Sequence, residues 1–186
     1  GSMISDGFCE SMLKTVMHFG PIALKDPTNF EARGEVLAAS SFGCCGLLGL
    51  GRTPSPWPCH GIEHEVSAWY DITHGVGLAI ITPHWMQWCL DTDPALVAPK
   101  FAQYGVNVFG LNPADGVDVN AAKAIEKTAE FFRSIGITQT LSDFGIDDSH
   151  FEAMAEHVTT AWVGDYKYAF VPMDKEAVLA VLRASL

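Results

Sequence analysis

The stretch WPCHGIEHEVSAWYDITHGVGLAIITPHW, residues 57–85, holds four of the chain's seven histidines, and its reading decides the fold. His60 and His64 stand four apart with helix-compatible residues between them. On a helix their rings project from one face, one turn above the other. His74-Gly75 follows, then Gly77 and the apolar run Leu78-Ala79-Ile80-Ile81, which reads as the start of a buried helix. A helix ending near Tyr70, a short link over residues 71–73 and a second helix from His74 bring His74 back towards His60. Neutral imidazoles converging from two helices are a way to grip a divalent transition metal without a thiolate. Histidines on a half-apolar helix face are more often hydrogen-bonded packing residues, so spacing alone leaves both readings open.

Upstream, residues 49–58 contain Pro54, Pro56 and Pro58 and predict a non-helical loop, because each proline removes a backbone donor and restricts its predecessor. That loop delivers the chain to His60, with Trp57 either walling a cleft or simply packed. Earlier still, Phe8, Met12 and Val16 mark one face of a first helix that ends near Gly20-Pro21, with a short continuation to Lys25. Asp26-Pro27-Thr28-Asn29 is a turn with a capping residue. A second helix is expected over residues 30–47. Its small residues, among them Ala38, Ala39, Ser40 and Gly43, suggest a helix at the centre of the bundle.

Downstream, Trp85 and Trp88 continue the second motif helix to about Leu90, and His84 reads as structural. Asp93-Pro94 opens a helix through Phe101 to Phe109, proline being tolerated in a first turn. Ala121, Ala124, Ile125, Thr128, Phe131, Phe132 and Ile135 keep a 3.6-residue stripe, with Asp118 as cap and Gly136 as stop. Residues 141–146 form a connector. Phe151, Met154, Ala155 and Val158 mark a further helix, with His150 and His157 facing solvent. Residues 165–173 stay ambiguous between loop and a short extended piece, and Asp174 caps a last helix to Ala184. Helix signals dominate and no set of alternating strands exists, so the expected class is an all-α helical bundle in one domain.

Composition narrows the function classes. An apolar fraction of 48% fits a folded core, while a formal charge of −11 and a pI near 4.9 disfavour nucleic acid and anionic lipid as partners. Apolar runs break well short of the roughly 20 residues a membrane span needs. Five cysteines, an odd number without a C-x2-C pair, fit a reduced cytoplasmic chain. Cys59 abuts His60, but adjacent helical positions point about 100° apart, which disfavours it as a thiolate ligand. No H-E-x-x-H occurs and no pair of Glu-x-x-His segments, which argues against a zincin or di-iron bundle. A glycine-rich phosphate loop between strand and helix is also missing.

The wording around the histidines adds to this reading. HGIEHEVSAWYDITHG resembles the signature of the iron-containing (group III) alcohol dehydrogenases, in which a His-x3-His is followed by a His-Gly fourteen residues after the first histidine. Gly77-Leu78-Ala79-Ile80 and Pro83 match as well. Phe19-Gly20-Pro21-Ile22-Ala23-Leu24-Lys25-Asp26-Pro27, Asn29-Phe30-Glu31-Ala32-Arg33 and Leu141-Ser142-Asp143-Phe144-Gly145 look like the butanol dehydrogenase and broad-range aldehyde reductase branch. Almost the whole chain is covered.

That resemblance implies a helical bundle of the dehydroquinate synthase-like type that follows a Rossmann-like nucleotide domain, with one divalent ion in the cleft between them. Carried over by position, His60 and His74 are metal ligands. His64 matches the middle histidine, which lines the cleft near the nicotinamide and is a candidate for proton relay. The family's other two ligands come from an Asp-x3-His, which this chain lacks upstream of His60; its earlier histidine, His18, follows Lys14 by four.

The expected organisation is therefore a tag scar at residues 1–3, a single helical domain over 4–186, and a nucleotide-binding domain absent from this chain. The implied function is a metal-dependent NAD(P)-linked alcohol dehydrogenase or aldehyde reductase, inactive as the helical half alone. Its cofactors would be Fe2+, or Zn2+, with NADH or NADPH; its partners a small alcohol or aldehyde, the missing domain and a second copy. The competing expectation is a non-enzymatic helical binding or oligomerisation module.

Overall fold

The computed structural model describes residues 2–50, 56–160 and 166–186. Among these there are α-helices and short 3-10 turns and no strand, so the all-α class holds. The helices are α1 (Met3–Lys25), α2 (Phe30–Cys44), α3 (Pro58–Tyr70), α4 (His74–Thr92), α5 (Pro94–Phe109), α6 (Val117–Ser134), α7 (Phe151–Thr160) and α8 (Lys175–Ala184).

α4 organises the core because its buried apolar residues run along most of its length and meet two clusters. Its first half contributes Ile80 and Ile81 to a cluster with Ile62 and Val66 of α3, Phe151 and Met154 of α7, and Val178 and Leu182 of α8. The second half contributes Met86 and Cys89 to another cluster, with Val97 and Phe101 of α5 and Ala121 and Ile125 of α6. Trp85 and Trp88 pack against both. Each fully buried aliphatic or aromatic side chain contributes about 1.5–3 kcal/mol, so the helix that carries His74 is held firmly from two sides.

Several expected boundaries move. Pro21 does not end the first helix: it lies inside α1, and the Asp26 N–H donating to the Ile22 carbonyl at 2.9 Å carries the helix to Lys25. α2 stops at Cys44, where Gly46 at φ 82° turns the chain into a 3-10 turn at Leu47–Gly49. Only glycine adopts that φ without strain.

α2 is also peripheral, not central. It rests on α1 through buried Ala32 and Ala39, while Phe30, Leu37 and Phe42 are exposed. Small residues permit close approach but do not say that a second neighbour takes it. α1 is tied to α5 by polar contacts: Lys100 Nζ to Asp6 at 2.5 Å, and Gln103 Nε2 and Asn107 Nδ2 to Glu10 at 2.8 Å.

Gly116, at φ 93°, holds the cap position of α6, which places Asp118 in the first turn. Half of the expected loop, residues 51–55 with Pro54, falls outside the described residues, as does Asp165; Gly49 closes a 3-10 turn and Pro58 opens α3. From Tyr166 the chain makes a 3-10 turn to Tyr168 and then bends, which resolves the ambiguous segment as loop among the described residues.

Candidate metal centre

The α3–α4 pair sets the geometry of the histidines. α3 begins with Pro58, whose fixed φ suits the first helical position and whose missing N–H costs nothing there. It ends at Asp71 with φ 54° and ψ 37°, the left-handed conformation that a short polar side chain tolerates better than most. Ile72 is buried, Thr73 is extended, and α4 begins at His74. The link over residues 71–73 thus reverses the chain within three residues and returns His74 to the face that carries His60 and His64.

The three rings meet. Ring centroids are 5.3 Å apart for His60 and His74, 4.9 Å for His64 and His74, and 6.1 Å for His60 and His64. Imidazoles sharing one ion through bonds of about 2.0–2.1 Å stand at about such separations. The patch is open to solvent: the His74 side chain is 45% exposed and both partner rings are half-buried. Trp57 packs its edge on His60 at 4.8 Å and is itself exposed, so it flanks the opening. Burial, first, and the neighbouring His74 and His64 rings, second, push the His60 pKa below 6.5, which keeps this imidazole neutral at pH 7. A neutral ring offers the lone pair a metal needs.

A residue that the sequence reading passed over stands beneath them. Glu63 is wholly buried, and its Oε2 accepts from His74 Nδ1 while its Oε1 accepts from Ser67 Oγ. Ser67 Oγ also lies 3.1 Å from the Ile72 carbonyl of the reversing link, a second acceptor for its one proton. Gly77 supplies the space: a Cβ there would lie 2.6 Å from Glu63 Oε1. The signals for Glu63 were its apolar flanks, Ile62 and Val66, and a serine one turn on. One donor atom each from Glu63, His64 and His74 lie within 4.8 Å of one another. Both Glu63 oxygens already have partners, so the donors facing the opening are the imidazoles. That nitrogen-rich set suits a divalent transition metal.

The other candidates fall away from this patch. Cys59 packs against the core cluster and bonds with Thr82, and burial pushes its thiol up to about 12. His84 lines a cavity of about 220 Å³ against Phe132 and Arg133, and burial lowers its pKa. His157 is exposed, as expected, yet has a partner, whereas His150 is half-buried, contrary to expectation. His150 stacks on Trp69 at 4.2 Å, and His157 Nδ1 pairs with Glu65 Oε1 at 2.6 Å. Aromatic and acidic side chains on α3 recruit them, which the local pattern around each histidine could not show.

Comparison with known proteins identifies relatives of the whole chain. Residues 1–186 match the Fe-containing alcohol dehydrogenase family, C-terminal. The chain is 40% identical to NADH-dependent butanol dehydrogenase A of Clostridium acetobutylicum over 186 residues, 100% of this chain and 46% of that protein. It is 34% identical to the NADPH-dependent aldehyde reductase YqhD of Escherichia coli over 151 residues, 81% of this chain and 38% of that protein. The crystal structure of NADH-dependent butanol dehydrogenase A from Thermotoga maritima superposes on all of this chain and 46% of its own, with TM-score 0.86 at 26% identity. The chain spans about half the length of the curated relatives it matches. On this match and this fold, the chain belongs to the Fe-containing alcohol dehydrogenase family and corresponds to its C-terminal region.

Proposed function

We propose that this chain is the helical, metal-holding half of an NAD(P)-linked alcohol dehydrogenase or aldehyde reductase acting on small alcohols and aldehydes. The observation that carries the proposal is the meeting of His60, His64 and His74 at a solvent-open patch. His60 and His74 hold the divalent ion, Fe2+ or in its place Zn2+, as neutral imidazoles. Held there, such an ion would supply Lewis acidity towards a substrate oxygen. His64, beside both rings, accepts or returns the hydroxyl proton and borders the nicotinamide. Trp57 at the rim excludes water from the reacting atoms.

The nucleotide cofactor, NADH or NADPH, is bound mainly by a nucleotide-binding domain outside this chain, as is the rest of the ligand set. Exposed apolar residues Phe30, Leu37 and Phe42 of α2, with Met3 and Ile4 of α1, favour coverage of this hairpin in the full assembly. A nucleotide half is the occupant that the relatives' length supports; a second copy of the chain is the other outcome that light scattering would reveal.

Two imidazoles are half of a four-ligand set, so the isolated chain binds metal weakly and does not turn over. Calorimetric titration with Zn(II) should give a dissociation constant weaker than micromolar, lost in His60→Ala and His74→Ala. Butanal reduction with NADPH should appear only when the chain is joined to a nucleotide-binding half. Tight metal binding that survives both alanine variants would refute the assignment of the site.

A further inference from the structure

A carboxylate with no exposed surface is costly to keep charged and is weak evidence for stability, so its retention calls for another explanation. Glu63 is such a group, and each element around it serves to aim it. Ser67, one turn along α3, donates to Oε1 and fixes the carboxylate plane. Gly77, one turn into α4, leaves the slot in which the carboxylate lies, since a Cβ would fall 2.6 Å from Oε1 and 2.7 Å from Cγ. Oε2 then meets His74 Nδ1. A carboxylate accepts, so His74 carries its proton on Nδ1 and keeps its lone pair on Nε2, with the other two rings 4.9 and 5.3 Å away between centroids.

We infer that Glu63 is a positioning residue that locks His74 in the Nδ1–H tautomer and directs its Nε2 at the ion, an inference that rests on the metal-holding role proposed for His74. A ligating histidine whose other nitrogen donates to a carboxylate is more basic and fixed in orientation, and loss of such a partner weakens metal affinity about 10–100-fold. The grouping of Glu63 with His64 and His74 by distance would suit a different arrangement, with Glu63 as a direct ligand and His74 bound through Nδ1. The double engagement of its oxygens favours the supporting role.

The test is nitrogen-15 NMR of the histidine rings in the chain at pH 8, without metal and with saturating Zn(II). In the unaltered protein His74 should be the Nδ1–H tautomer without metal and should bind Zn(II) through Nε2. In Glu63→Met, and in Gly77→Ala with Glu63 retained but displaced, the metal-free ring should shift towards the Nε2–H form and Zn(II) affinity should fall at least tenfold. Glu63→Gln, which keeps the shape and an acceptor, should lie between. Zn(II) on Nδ1 of His74, or an Nε2–H ring in the unaltered protein, would overturn the inference, and neither measurement needs a variant that folds. If Zn(II) perturbs neither His60 nor His74, the metal-holding role itself fails. If it binds both while the Glu63 and Gly77 variants leave tautomer and affinity unchanged, only the role of Glu63 fails.

Discussion

Two buried carboxylates two residues apart on α3 each capture a histidine, and they do different work. Glu63 reaches His74 across the reversing link, at an open patch with two further imidazoles. Glu65, on the opposite face of the same helix, reaches His157 on α7, where no ring contact with another histidine exists among the described residues. Two residues on a helix turn the side chain by about 200°, so one helix carries a site on one face and a scaffold contact on the other. The lesson is that a buried acid–histidine pair is not itself a functional signature. What distinguishes the first pair is the two further imidazoles that surround its histidine and the complete burial of its carboxylate.

The comparison breaks most sharply at His74. His74→Ala leaves the fully enclosed Glu63 with only Ser67 as partner, and breaking a buried pair from one side is strongly destabilising. A loss of about 3 kcal/mol is expected from urea unfolding, along with the loss of Zn(II) binding. His157→Ala is the matched change on the other face. His157 is 57% exposed, and solvent reaches its contact with Glu65. Its loss should cost about 1 kcal/mol in the same unfolding experiment and leave Zn(II) affinity unaltered. Equal penalties for the two variants, or a metal defect in His157→Ala, would erase the distinction drawn between the faces.

The smallest effect concerns thiols. Cys59 and Cys89 are raised to about 12 by burial, whereas Cys44 and Cys45 lie exposed at the end of α2. At pH 8 iodoacetamide should label Cys44 and Cys45 readily and leave Cys59 and Cys89 untouched until the chain is unfolded. Fast modification of Cys59 would mean that the core-facing side of α3 opens more than its packing indicates.

Much of this was legible in the residues. The spacing of His60, His64 and His74, together with a three-residue link, was enough to predict that the rings converge, because helix periodicity leaves little freedom over so short a span. The stripe of α6 was equally plain. Three things were not. Pro21 looked like a terminus because a proline removes one bond, yet the following turn closes around it. Small residues placed α2 at the centre, although they encode permission to pack and not the presence of a partner. Glu63 drew no attention in the sequence, because the space that admits its carboxylate comes from Gly77, fourteen positions on.

The link over residues 71–73 has a further consequence. Its one left-handed joint, Asp71, and the buried Ile72 set how α4 is phased against α3. With α4 held by its core contacts, a residue added or removed there would have to be absorbed within a three-residue reversal, at the expense of the register that returns His74 to its fellows. Among natural variants, this short bend should therefore admit changes of letter but none of length.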